Sequence, residues 1–425
     1  MLAGVAETDI TPRRSLDLAG VPCGKSQGVL DSLKAQALIL QSQNGAKICI
    51  ISIDTLYIAQ KWGEQLRNRI GAVIGTAAEQ IMLCASHTHS GPALMSIRRW
   101  GEPDKEYMDE LADKIVRAAK HSDMRLAPSI IKIGTSSIDN ISVNRRQMNG
   151  PVDPVVTIIE VDNSDSTPMA RIFNFACHPI CLWGFKNLYS PDFPGYIRQK
   201  LQLALDKNTI NMFINGAAGN INPINFNPWQ TSSDYADYIS EQIAQVVLKA
   251  CNAARIAETE PISAKRKFCN LQLDLPPSLE KIDAQSERMK LYIREHPEEA
   301  ARDPGLYRVI DWAADMKQAI ERHSLPKSEI LEIQMFRIGT ICLVAIPAEL
   351  YVEIGLKLIA LSPFCSTIIA GYSNGMVGYI NTRQRQREIG SQEKFIGIRL
   401  LSLSANTEDV IYQISEKIFG ELYDA

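Results

Sequence analysis

The chain has 425 residues, 45% of them hydrophobic and 22% charged, an ordinary globular composition. Its length admits one large α/β domain or two to three smaller ones. A net charge of −3 gives no electrostatic case for nucleic-acid binding, and no apolar run is long enough to span a membrane.

The opening, Met1-Leu2-Ala3-Gly4-Val5-Ala6-Glu7, has no basic segment leading into an apolar one and does not read as a signal peptide. Residues 2–30 read as mostly loop with a short initial strand. Residues 33–43 and 46–55 are apolar strands joined by Asn44-Gly45, a hairpin turn signal. The second strand ends at Asp54-Thr55, where Asp54 either faces a site or caps the next helix. A helix over 60–75 precedes the strand 79–86, which runs into Ser86-His87-Thr88-His89-Ser90-Gly91-Pro92. Strand alternation through Thr88 sends His87 and His89 to one face. Neutral imidazole is a common zinc ligand; the plainer alternative is a polar strand end bonded to loop carbonyls.

Pro103 opens another helix with Tyr107, Leu111, Ile115, Ala118 and Ala119 as its apolar stripe. Strands follow at 128–138 and 153–162, with Asn144-Arg145-Arg146 between them, either a solvated face or an anion clamp. The strand 169–176 leads into Cys177-His178-Pro179, repeating the pattern of apolar strand, histidine and chain break. A helix begins near Tyr196 after Ser190-Pro191-Asp192-Phe193-Pro194-Gly195. The strand 209–214 ends in Asn215-Gly216-Ala217-Ala218-Gly219-Asn220-Ile221-Asn222-Pro223, a small-residue turn that permits close backbone approach to a ligand. It lacks the Gly-Lys-Ser/Thr ending of a phosphate loop.

A long helix covers 233–254 and a strand 262–275. Residues 277–322 form a charge-rich helical excursion that Pro297 and Pro304 divide into two helices; it either caps the pocket or lies inert on the surface. Strands at 329–338 and 341–346, a helix at 351–361, a strand at 367–370 and a helix at 408–422 complete the chain. Arg383-Gln384-Arg385-Gln386-Arg387-Glu388 reads as a solvated loop. The expected fold is α/β, a mixed β-sheet core flanked by helices, with the excursion inserted before the C-terminal core segment of one domain over 1–425. The nine cysteines, Cys23, Cys49, Cys84, Cys177, Cys181, Cys251, Cys269, Cys342 and Cys365, are odd in number and irregular in spacing. Cysteines of this kind read as reduced and the compartment as cytoplasmic.

Together these strand ends resemble the neutral ceramidase family, in its N-terminal zinc-dependent catalytic domain. The resemblance runs over roughly residues 3 to 420 and rests on His87-Thr88-His89-Ser90-Gly91-Pro92, on Asn174 to Pro179, on Gly219-Asn220-Ile221-Asn222-Pro223, on Glu349, and on Gly378-Tyr379-Ile380-Asn381-Thr382. It implies one catalytic zinc held by His87, His178, Glu349 and Tyr379. His89 corresponds to a histidine near the metal, and Arg145 to the active-site arginine. His89 is expected to move protons, with Asp192 as its orienting partner, and Arg145 to bind a substrate carbonyl or carboxylate or a developing oxyanion.

The chain departs from the family pattern at the turn. Asn222 stands where the ceramidases carry a serine, and Asn220 replaces an acidic residue. Arg383 to Gly390 replaces a tyrosine-rich stretch, and neither an immunoglobulin-like C-terminal domain nor a secretion signal is expected from this sequence. The expected function is therefore zinc-assisted hydrolysis of an amide, or of an ester, on a small-molecule amide or N-acyl substrate, ceramidase-like without being ceramide-specific, with Gly219, Asn220 and Asn222 lining its pocket. The alternative is a catalytically weakened relative that binds zinc or a small ligand. Oligomeric state is not legible in the sequence.

Overall fold

The computed structural model describes residues 1–22, 24–389 and 397–424; Cys23 and Gly390 lie outside the described residues. The apolar runs become one mixed sheet. Its strand order is Ile210–Asn215, Pro168–Phe175, Val155–Asn163, Ala127–Ser137, Leu2–Asp9, Lys34–Gln41, Lys47–Ile53 and Ile81–Ala85, with Arg255–Ile256 beside Ala127–Ser137. The pair at each end is parallel and the pairings between are antiparallel. The Asn44-Gly45 turn joins its two strands as expected, with Gly45 at φ 88°.

Period-two alternation then sorts the side chains between layers. Leu38, Leu40, Ile50 and Met82 face Ile159, Ile172, Met212 and Ile214 from the other half of the same sheet. Their neighbours Ile39, Cys49, Ile51 and Leu83 face outward, under Leu66 and Ile70 of helix Gln60–Ile74 and Leu111 and Ile115 of helix Lys105–Met124. On the other half, helices Phe193–Ala204 and Ser233–Ala253 cover Ile158, Phe173 and Phe213. The sheet thus closes on itself. Ser52 Oγ donates to the Phe213 carbonyl across the closure at 2.7 Å, so strands from opposite ends of the order meet.

A second sheet, Ile262–Gln272, Ser328–Ile338, Ile341–Ala345 and Ser366–Ala370, packs Phe336, Leu343 and Ile368 against that interior. Helices Leu279–Glu295, Pro297–Arg302 and Arg308–Glu321, with a 3₁₀ turn Pro304–Tyr307, lie between its first two strands in sequence. The expected two helices are therefore three and a turn. Pro297 and Pro304 each occupy a first-turn position, where the missing N–H costs nothing and the fixed φ favours a start. Arg383–Ile389 is a short helix rather than a loop, because Thr382 Oγ1 accepts from the Arg385 N–H as a cap would. No helix among the described residues is long and apolar enough to cross a membrane.

Asp54 caps no helix. Its buried carboxylate takes both terminal nitrogens of Arg198 at 2.6 and 3.0 Å and the Lys34 N–H at 2.8 Å, tying helix Phe193–Ala204 to the strand end beside the histidine motif. Removing one partner of such a pair strands a charge in the interior. Arg198→Met should lower the unfolding free energy by about 3–5 kcal/mol in denaturant titrations; a loss under about 1 kcal/mol would show the pair to be dispensable.

Candidate metal centre

Two strands, the last and the second in the sheet order, deliver the histidines. Ile81–Ala85 ends two residues before His87, and Pro168–Phe175 ends three before His178. Asn215, at the end of the strand between them in space, donates from Nδ2 to the carbonyls of Ser86 at 3.3 Å and Cys177 at 3.1 Å. Its Oδ1 accepts from the Cys177 N–H. One fully buried carboxamide thus fixes the residue before each histidine.

The strand does not extend through Thr88. It stops at Ala85, and His87 takes φ 70° in the left-handed region, held by its N–H to the Thr55 carbonyl at 2.9 Å. Alternation therefore does not place His87 and His89 together; the turn does, with ring centroids 4.9 Å apart. Tyr372, also left-handed at φ 57°, stacks on His87 at 3.9 Å. Such conformations cost of order 1–3 kcal/mol each and persist where the surroundings over-determine them.

Each imidazole has its Nδ1 against backbone carbonyl oxygen: His87 to Leu56 at 3.1 Å, His89 to Gly20 at 3.0 Å, His178 to Ala218 at 2.6 Å and Ile221 at 3.1 Å. A carbonyl only accepts, so Nδ1 carries the proton in all three and Nε2 presents a lone pair. The candidate ligand atoms of the three rings lie within 4.8 Å of one another. Nε2 of His87 and of His89 is buried with no hydrogen-bond partner among the described residues. Burial, before any neighbouring charge, pulls the pKa of His87 and His178 well down and that of His89 to about 4, so the rings are neutral at pH 7. Converging, orphaned, neutral lone pairs are a fit for a metal ion and costly otherwise.

Glu349 sits against this cluster. Its Oε2 is 3.2 Å from His178 Nε2 and 3.7 Å from His87 Nε2, and its Oε1 accepts from the Tyr57 hydroxyl at 2.5 Å. Pairing of Glu349–Leu350 with Tyr379–Ile380 sets Glu349 directly opposite Tyr379. Arg145 Nη2 reaches the Tyr379 hydroxyl at 2.9 Å, the Gly219 carbonyl at 2.8 Å and His178 Nε2 at 3.2 Å. Burial and the neighbouring carboxylate raise the pKa of Tyr57 and Tyr372, keeping both phenols protonated.

The structure thus brings together His87, His89, His178, Glu349, Tyr379 and Arg145. Gly219 belongs with them through its carbonyl, and a Cβ there would run into the Glu349 backbone. Asp192 stands apart from His89. Its carboxylate accepts from the N–H groups of Cys181, Leu182 and Phe193, so it holds the loop after His178 and starts a helix; the Gly20 carbonyl orients His89 instead. Asn220 Oδ1 accepts from the Val352 N–H at 2.8 Å, at the start of helix Val352–Leu361, and its Nδ2 donates to Glu353. It also adjoins a cavity of about 450 Å³ lined by Asn144, Arg146, Gln147, Tyr351, Glu353 and Gln384 among others. Asn222 keeps a buried Oδ1 without a partner among the described residues. Asn215, Tyr57, Tyr372 and Gly20 were not singled out as site residues by sequence. Asn215 alone left a trace, as the polar end of an apolar strand.

Residues 1–255 match the family model described as neutral/alkaline non-lysosomal ceramidase, N-terminal. The chain belongs to the neutral/alkaline ceramidase family. Within it the divergence is wide. A neutral ceramidase of Pseudomonas aeruginosa is 22% identical over 433 residues, covering 87% of this chain and 64% of that protein. Neutral ceramidase B of Dictyostelium discoideum is 26% identical over 198 residues, 41% of this chain and 27% of that one. The chain thus spans less than two thirds of the length of these curated relatives. The crystal structure of the Pseudomonas aeruginosa neutral ceramidase superposes with a TM-score of 0.77 at 19% identity, over 100% of this chain and 74% of that chain, a likeness of fold.

The depressed histidine pKa values set a pH dependence. His89 binds its proton near pH 4 when folded and near the ordinary 6.5 when unfolded, and His87 and His178 shift the same way. The unfolded chain therefore takes up protons first, and stability, complete above about pH 6.5, falls as pH drops toward 4. In metal-stripped protein the urea midpoint should fall between pH 7 and pH 5, and less steeply in His89→Gln. A flat midpoint over that window would contradict the buried neutral assignment.

Proposed function

We propose that the chain is a zinc-dependent hydrolase of amide bonds, acting on substrates smaller and more polar than ceramide. The observation that carries this is the set of three Nε2 lone pairs aimed at one point beside a carboxylate, each imidazole locked by a backbone carbonyl. Nitrogen donors with one carboxylate and a phenol suit zinc. His87, His178, Glu349 and Tyr379 would hold it, as in the resemblance, with His89 beside it. When bound, zinc supplies a Lewis acid for the scissile carbonyl and the attacking water.

The protein's own groups do the rest. His89, neutral with a free Nε2, accepts a proton there and returns it to the leaving nitrogen. Arg145 keeps a buried Nε–H without a partner among the described residues, a donor for the charge that develops on the carbonyl oxygen. Asn222 offers an orphaned acceptor to a substrate N–H or O–H, and the cavity beside Asn220 is lined largely by amides and charged groups. Both favour a polar amide over a ceramide, which is what the relatives are named for. We take residues 277–322 to be an insertion within a single catalytic domain and the compartment to be cytoplasmic; the eight described cysteines are free thiols. A second alternative, zinc or ligand binding without turnover, rests on Asn222 replacing the family serine.

Freshly purified protein should hold about one zinc per chain. His87→Ala and His178→Ala should lose it, whereas His89→Ala should keep it and lose roughly a hundredfold or more in turnover on the best hit of an amide and ester screen. Full zinc content in both well-folded ligand variants would remove the assignment. Metal loss in His89→Ala equal to that in His87→Ala would make His89 a ligand. Zinc retention with no turnover of any compound would favour the binding alternative.

A further inference from the structure

The loop leaving the histidine motif presents Arg98, Arg99 and Trp100 in succession to helix Arg308–Glu321. Arg98 pairs with Asp315 at 2.8 Å and Arg99 with Asp311 at 2.5 Å, and the Arg308 guanidinium carbon lies 3.4 Å from the Trp100 ring centroid. Residues 308, 311 and 315 share one helix face. Gly305 makes the approach possible, since a Cβ there would collide with the Trp100 indole. The helical excursion is thereby strapped to the chain segment that carries His87 and His89.

Of the three arginines in this contact, Arg308 alone has no paired carboxylate among the described residues. Its Nε donates to the Gly305 carbonyl at 2.8 Å, and it forms no ion pair among the described residues. Asp303 acts on its charge only from beyond ion-pair distance. Trp100, on which Arg308 stacks, accepts through its backbone carbonyl from the Gly20 N–H at 3.0 Å, and the Gly20 carbonyl holds His89, which sets the guanidinium beside the histidine pocket; Tyr379 and Tyr57, both walls of that pocket, also act on its charge. Burial lowers its pKa to about 10, so it stays charged at neutral pH. The Trp100 face offsets part of the cost of withdrawing this cation from water, but the guanidinium fork still lacks the planar acceptor it matches best. Ceramide carries hydroxyls at its headgroup and no charge, so it would leave the fork unfilled.

We propose that Arg308 recognises a carboxylate on the amide substrate, making N-acyl amino acids, rather than N-acyl amino alcohols, the preferred substrate class. This rests on the amide-hydrolase proposal above, and its test is separable from it. The probe is the ketomethylene isostere of N-hexanoylglycine, which has no amide to cleave, paired with its neutral alcohol counterpart. Isothermal titration into zinc-loaded protein should show the acid binding roughly ten- to a hundredfold tighter than the alcohol. Arg308→Gln should erase that difference, and Arg308→Lys should keep part of it. Equal affinities in the wild type, a preference that survives in Arg308→Gln and so belongs to zinc or Arg145, or no binding of the acid would each overturn the proposal. Acid preference lost in Arg308→Gln, in a protein that cleaves no amide, would sustain the recognition and defeat the hydrolase proposal.

Discussion

The Asn215 carboxamide donates to the carbonyls of Ser86 and Cys177, each one residue ahead of a pocket histidine. Those carbonyls belong to strand ends at opposite sides of the sheet order, and they meet only because the sheet closes on itself. The carboxamide is buried, so its bonds are high-stakes: satisfied, they fix a geometry; broken, they leave donors and acceptors stranded in a medium of low dielectric. The Asp54–Arg198 pair performs the same service one layer out, holding the helix that follows the His178 loop to the strand that precedes Thr55. The site is therefore a property of sheet closure, and its residues are far apart in sequence for that reason.

Given that closure, the electrostatics follow from burial. Three imidazoles packed together cannot all be charged, and desolvation keeps them neutral. Backbone carbonyls select one tautomer for all three, which turns a costly cluster of aromatic nitrogens into a converging donor set. Glu349 and Arg145 bring opposite charges to the same pocket, the carboxylate accepting from the Tyr57 hydroxyl and the guanidinium donating to that of Tyr379. The left-handed backbones of His87 and Tyr372 place their rings face to face, so local strain is spent on aiming a donor.

Much of this was legible in the sequence, and what was not has a physical cause. Apolar strands running into histidine and a chain break marked His87 and His178, because such strands are core and their ends open onto a cleft. The Asn44-Gly45 hairpin was visible because its turn chemistry is local. Alternation failed at Thr88, since pairing stops at Ala85 and no local signal announces a left-handed histidine. Asp192 was misplaced as a partner of His89. A carboxylate that accepts three backbone N–H groups looks the same in sequence as one that orients an imidazole. Gly20 and Tyr57 were missed because they reach the pocket through a carbonyl and a hydroxyl set by long-range packing. Arg308 sits in a charge-rich helical stretch where composition alone suggests only a solvated face.

The central claim is that closure of the sheet builds a zinc site from histidine Nε2 atoms. X-ray absorption at the zinc edge tests it most directly, by counting imidazole ligands on the metal in the loaded protein. The account predicts multiple scattering from at least two imidazoles with oxygen donors completing the shell, and loss of one imidazole in His178→Ala. A zinc spectrum with no imidazole signature, or one unchanged by that substitution, would contradict it.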